Sequence, residues 1–120
     1  ADLMLYGGLQ REGKMGDVLD ELGARRPAVA VTRSLPHDRL RADPGAEGHP
    51  DPHVWFDPTL WAMAADEVAA TLAAIDPSSA GAYAQRAAAA EAELAALDAE
   101  TRAAAQIRNT VELPAHEVRE

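Results

Sequence analysis

Asp2-Leu3-Met4-Leu5-Tyr6-Gly7 and Ala28-Val29-Ala30-Val31-Thr32 are two short apolar runs separated by a stretch of different rhythm. The first run ends at Gly7-Gly8, the profile of a buried strand entering a tight turn, and the second reads as another buried strand. Between them, Met15, Val18, Leu19 and Leu22 recur at the i, i+3, i+4, i+7 spacing of one apolar helical face. Glu12, Lys14, Asp17 and Asp20 supply the polar faces, and Gly23 marks the stop. Strand, helix and strand within about thirty residues make a βαβ unit, for which parallel strands and a right-handed crossover are expected. This half of the chain is α/β.

Downstream, residues 34 to 52 contain Pro36, Pro44, Gly45, Gly48, Pro50 and Pro52 among charged residues, which predicts an exposed, mobile loop without regular structure. From Asp57 the pattern becomes helical. Asp57 suits a cap, Pro58 suits the first helical position, and Leu60, Met63, Ala64, Val68, Leu72 and Ile75 form an apolar stripe. Asp76-Pro77 repeats the start signal, and Tyr83, Ala87, Ala90, Leu94, Leu97 and Thr101 then recur at three- and four-residue steps. This pattern persists to about Gln106, some thirty residues and on the order of 45 Å of helix, long for a small globular domain. Its alanine content also suits a coiled coil or a bundle member. Only Leu94 and Leu97 are large aliphatic residues on the seam, however, so a helix packed along its own protein is the better reading. The polar stretch Ile107 to Glu120 reads as a truncated end.

The chain has 120 residues and a formal charge of -9, enough length for one ordinary domain and too acidic a balance for general nucleic-acid binding. It has no run of about 18 apolar residues able to span a bilayer, and Ala1-Asp2-Leu3-Met4 carries no signal-peptide features. A start without Met, directly on a strand, is expected of a piece of a longer protein whose targeting segment lies upstream. With no cysteine, metal ligands are confined to nitrogen and oxygen donors. Enzyme chemistry lacks a constellation: no serine sits in a nucleophile elbow, no Gly-rich phosphate loop follows a strand, and the carboxylates are scattered.

The chemistry-bearing stretch is Asp51-Pro52-His53-Val54-Trp55-Phe56-Asp57-Pro58. Pro52 and Pro58 restrict the backbone at both ends and present His53 on a stiff, short segment just before a helix. Neutral imidazole is the commonest protein metal ligand, and a ligand works best when its neighbours leave it few alternative positions. Asp51 and Asp57 flank His53 and could hydrogen-bond its second nitrogen, although Asp57 suits a helix cap better. Trp55 and Trp61 are expected to anchor the helix to the core, the alternative being that they shield the metal region from water. His49 stands four residues before His53, but Pro50 and Pro52 forbid the helix that would bring the two together. Glu91, Glu93 and Glu100 read as a solvated face.

The word from Asp51 to Pro58, the helix after it, the Asp76-Pro77 start and a long alanine-rich helix carrying Leu94-Ala95-Ala96-Leu97-Asp98 closely resemble the zinc and manganese solute-binding proteins of bacterial ABC transporters. Ala1-Asp2-Leu3-Met4-Leu5-Tyr6-Gly7-Gly8-Leu9 and Glu12-Gly13-Lys14-Met15 resemble the family's strand and helix, the Gly-Lys-Met word leaning towards its manganese branch. The resemblance implies two α/β lobes joined by one long rigid helix. A single metal sits between the lobes, held by histidines of the first lobe and by His or Glu plus Asp of the second. Only His53 matches a ligand position here; the other first-lobe histidine would precede residue 1 and both second-lobe ligands would follow residue 120. Leu113 to Arg119 resembles the stretch before the strand leading to the third ligand, which makes His116 a connector residue. The expected layout is a partial N-terminal α/β lobe over residues 1–75 with its parallel βαβ unit, a linking helix over 76–106, and the truncated start of an otherwise absent second lobe over 107–120.

The implied function is capture of Mn(II) or Zn(II), with Fe(II) as a further candidate, and delivery to an ABC permease at the membrane. No organic cofactor, nucleic acid or enzymatic step is implied, and the setting is periplasmic or extracytoplasmic, as a lipoprotein concerned with ion transport and cell adhesion. Because the ligand must be neutral imidazole, binding is expected to weaken in acid. Gln10-Arg11 departs from the His-Leu of many relatives. The loop before His53 holds only His37 and His49 where zinc-specific relatives carry a histidine-rich run, which favours manganese or iron. Two other readings compete: a helical adaptor in which His53 only packs or caps, and a metal-dependent hydrolase. Apolar surface along the long helix also predicts self-association of the fragment.

Overall fold

A computed structural model describes residues 2–9, 11–45 and 47–111. Gln10 and the stretch containing His116 lie outside the described residues. Strands β1 (Met4–Tyr6) and β2 (Ala28–Ala30) pair in parallel with Met4 opposite Ala28, Leu5 opposite Val29 and Tyr6 opposite Ala30. Helix α1 (Met15–Gly23) is the crossover and stops where the glycine was expected to stop it. The βαβ reading therefore holds, but the strands are not buried as expected. Met4 and Leu5 are 40% and 38% exposed, because a two-stranded sheet with one short helix leaves apolar side chains uncovered. Only Leu19 of α1 is buried, while Met15 and Val18 stand in solvent.

The turn after β1 is closely built. Gly8 adopts φ +79°, and a Cβ at this position would stand 2.5 Å from Thr32 Oγ1 and 2.9 Å from the Ala30 side chain. Glycine is required there for both reasons. The Thr32 hydroxyl donates to the Gly7 carbonyl at 2.6 Å, and the Gly8 N–H donates to the Glu12 carboxylate at 3.1 Å. The loop between β1 and α1 is thereby tied to the end of β2.

The Pro- and Gly-rich segment is more ordered than its composition predicts. His37–Arg39 forms a 3₁₀ turn, and Ala42 and Pro50 form an isolated antiparallel bridge. Proline lacks an N–H only at its own position, so the bridge is closed by neighbours: Asp43 N–H donates to the His49 carbonyl at 3.0 Å, and Asp51 N–H to the Arg41 carbonyl at 2.7 Å. This pairing sets Asp51 at the exit of the loop, two residues before His53.

Helix α2 (Pro58–Ile75) begins as its sequence predicts, with Pro58 at the first helical position and Asp57 as cap. The Asp57 carboxylate accepts the Thr59 N–H at 3.0 Å and the Thr59 hydroxyl at 2.6 Å. Leu60 joins Leu35 and Val54 in the buried core, with Leu9, Leu40 and Met63 packed around it. The core thus lies directly beneath the segment that carries His53.

Helix α3 (Ala80–Val111) differs from expectation at both ends. Pro77–Ser79 forms a 3₁₀ turn first, with the Ser78 hydroxyl donating to Asp76 at 2.7 Å and the Tyr83 hydroxyl at 2.9 Å. At the other end the helix runs past Gln106 to Val111, since neither Gly nor Pro interrupts the chain before Pro114. Residues 107 to 111 are helix, and the rest of the stretch assigned to a second lobe lies outside the described residues. The predicted seam packs on α2 through Ala87, which is buried, and through half-buried Tyr83, Ala90 and Leu94. Leu97 and every residue from 99 to 109 are exposed. Among the described residues, no helix is long and apolar enough to cross a membrane.

Candidate metal-ligand site

His53 sits between the loop bridge and a 3₁₀ turn over Val54–Phe56, whose Val54 is 5% exposed and embedded in the core. The turn anchors the backbone through Val54 while its neighbours Trp55 and Phe56 face outwards. Asp51 binds His53 twice. Its Oδ1 accepts the His53 backbone N–H at 3.0 Å and lies 2.6 Å from the ring Nδ1.

The backbone N–H of His53 foremost, and then its ring, hold the Asp51 carboxyl below the usual carboxylate range. Asp51 is therefore ionised at neutral pH and can only accept, so Nδ1 carries the proton in this contact. In a neutral ring the lone pair is then on Nε2, the nitrogen free to meet a metal ion. Asp51 fills the orienting role expected of one of the two flanking carboxylates. Asp57 does not share it and caps α2 instead, with the Thr59 hydroxyl chiefly responsible for lowering its pKa and Arg39 adding to the effect.

The imidazole is also set among rings. Trp55 meets it edge to face at 5.1 Å and 64°, and Phe56 stacks on it at 6.4 Å and 28°. This corrects the expectation that both tryptophans anchor a helix in the core. Trp55 is 37% exposed and leans on His53, whereas Trp61 lines an open groove of about 820 Å³ between α2 and α3. The physical reason is turn geometry: the 3₁₀ turn directs Val54 inwards, leaving its neighbours on the outer side. His53 itself borders a cleft of about 180 Å³ together with Arg39, Leu40, Phe56 and Leu60.

Sequence reading missed Arg11. Its guanidinium lies over the Trp55 ring, 5.4 Å from the centroid, a long-range contact that no local spacing announces. The expected solvated face of α3 is also modified. Glu93 and Glu100 are exposed, but Glu91 is half-buried and its pKa is raised by a hydrogen bond shared with Asp66 of α2. Among the described residues no three His, Cys, Asp or Glu side chains gather to hold a metal, so His37 and His49 do not complete a site with His53. Metal coordination commonly asks for about four ligands, and His53 offers one.

The family model described as zinc-uptake complex component A, periplasmic, matches residues 1–117. A manganese-binding lipoprotein of Bacillus subtilis (strain 168) is 43% identical over 84 residues, covering 69% of this chain and 27% of that protein. The zinc-binding protein TroA of Treponema pallidum (strain Nichols) is 40% identical over 107 residues, covering 88% of this chain and 34% of the relative. The solved structure of the periplasmic zinc-binding protein TroA from Treponema pallidum superimposes with a TM-score of 0.79 at 39% identity, over 88% of this chain and 38% of that one. This chain therefore spans between about a quarter and two-fifths of the length of these relatives. With a family match running from residue 1 to 117 and relatives this similar over most of its length, the chain belongs to the family of zinc-uptake complex component A, periplasmic.

Proposed function

We propose that the chain is the part of an extracytoplasmic metal-capturing receptor that contributes His53 as one nitrogen ligand. The cargo is Mn(II) or Zn(II), with Fe(II) also within the reach of a nitrogen and oxygen site. The observation that carries this reading is the contact of His53 Nδ1 with the ionised Asp51 at 2.6 Å, which leaves Nε2 as the donor. Two relatives whose names specify manganese binding and zinc binding support the cargo class. Residues 1–75 form part of one lobe and the helical stretch from Asp76 onward is the strut, with His53 one of the several ligands that a complete site requires. Delivery to an ABC permease from the periplasm or from a lipid-anchored position completes the proposal. The work is capture rather than catalysis, and family membership gives the helical adaptor no support.

Calorimetric titration of the 120-residue chain with Mn(II) and Zn(II) at pH 7.5 tests the reading. Weak binding that disappears in His53→Ala is expected. Tight binding that survives the substitution would mean that another set of ligands takes the metal.

A further inference from the structure

We infer that Arg11 is a positioning residue for the His53 imidazole, acting through Trp55; its role in metal capture rests on the function proposed above. A hydrogen bond at Nδ1 fixes one point of the ring and its tautomer, but the plane of the ring needs further contacts. Trp55 supplies one, edge to face at 5.1 Å. Trp55 is itself 37% exposed, and the Arg11 guanidinium lies over its ring at 5.4 Å, within cation–π range. The indole therefore touches a cation on one side and the imidazole on another.

The base of Arg11 is well placed for this task. Its loop is tied to β2 by the Thr32 hydroxyl on the Gly7 carbonyl, and Leu9 packs on the same Leu35, Val54 and Leu60 cluster that anchors the His53 segment. Arg11 thus reaches Trp55 from a loop packed on the same core cluster as the His53 segment. A guanidinium close to a cation site should by charge alone weaken metal binding, whereas by holding the indole it should strengthen it. The two effects have opposite signs, so removal of Arg11 distinguishes them.

The test uses the 120-residue chain with Trp61→Phe, so that Trp55 is the sole tryptophan, and compares Arg11, Arg11→Gln and Arg11→Lys. In the metal-free protein, Arg11→Gln is expected to shift Trp55 emission and to move the His53 ring resonances in NMR spectra. Zn(II) affinity should fall about two- to five-fold, the worth of one exposed cation–π contact. Arg11→Lys, which keeps a cation over the ring, should restore most of both readouts. Unchanged His53 resonances, tighter Zn(II) binding in Arg11→Gln, or no rescue by lysine would overturn the positioning role. Absence of His53-dependent Zn(II) binding in the Arg11 parent, with the ring resonances still responding to Arg11→Gln, would overturn the capture reading and Arg11's part in capture, while leaving the physical link between Arg11 and His53 in place.

Discussion

A single carboxylate oxygen of Asp51 organises the candidate ligand, since it binds both the backbone and the ring of His53. Loss of such a partner typically costs a metal site 10- to 100-fold in affinity. Asp51→Ala is therefore expected to lower metal affinity by about ten-fold or more while leaving the helical circular dichroism unchanged, a pair of results that calorimetry and spectroscopy can check together. Gly8 is critical in a different way. Its left-handed backbone costs a residue with a side chain roughly 1–2 kcal/mol, and the 2.5 Å approach to Thr32 Oγ1 adds a clash. Gly8→Ala should lower the unfolding free energy measured in urea by at least that much, and a variant as stable as the parent would contradict the account. The sequence made His53, Asp51 and the Gly7-Gly8 turn legible because each is a local signal. Arg11 and the outward face of Trp55 were not legible, because their contact joins distant parts of the chain.

Helix starts carry strong local chemistry, and the Asp57 cap with Pro58 was read correctly from sequence alone. Asp57→Ala is expected to destabilise the protein by about 1 kcal/mol. The pH dependence follows from the lowered pKa of Asp57. Its stabilisation is fully present above the unfolded carboxylate value of about 3.9 and is lost as pH falls through the lower folded value. The difference between parent and Asp57→Ala in chemical denaturation should therefore be constant near neutrality and shrink as the solution is acidified below pH of about 3.9. Helix α3 shows the limit of local reasoning. Its periodicity located the seam against α2, but that packing weakens beyond Leu94, with Leu97 49% exposed. Amide exchange should accordingly be slowest around Ala87 to Leu94 and become fast towards Val111, because alanine-rich propensity without packing leaves a helix only marginally protected. Uniform protection along α3 would indicate a partner covering its distal half.

The described chain extends over 66 × 35 × 22 Å with a radius of gyration of 18.8 Å, against roughly 13–14 Å for a compact chain of this length. The excess comes from α3 projecting beyond the body. The large exposed hydrophobic residues of the described chain include Met15 and Val18 on α1, Phe56 beside the candidate ligand and Ile107 on α3, a distribution that favours association of the chain. Sedimentation velocity should show mass increasing with concentration. A strictly monomeric species across the range would remove the inference of self-association.

Sequence alone determined the βαβ order, the cap and start of α2, the presence of a long third helix and the stiff segment that presents the candidate ligand His53, because periodicity, proline restriction and side-chain capping act over a few residues. Tertiary structure decided which faces are covered, how a Pro-rich loop closes by a bridge, and which groups surround the imidazole. Those outcomes depend on contacts between residues far apart in the chain, where burial and ring packing are set by the assembled core rather than by any local pattern.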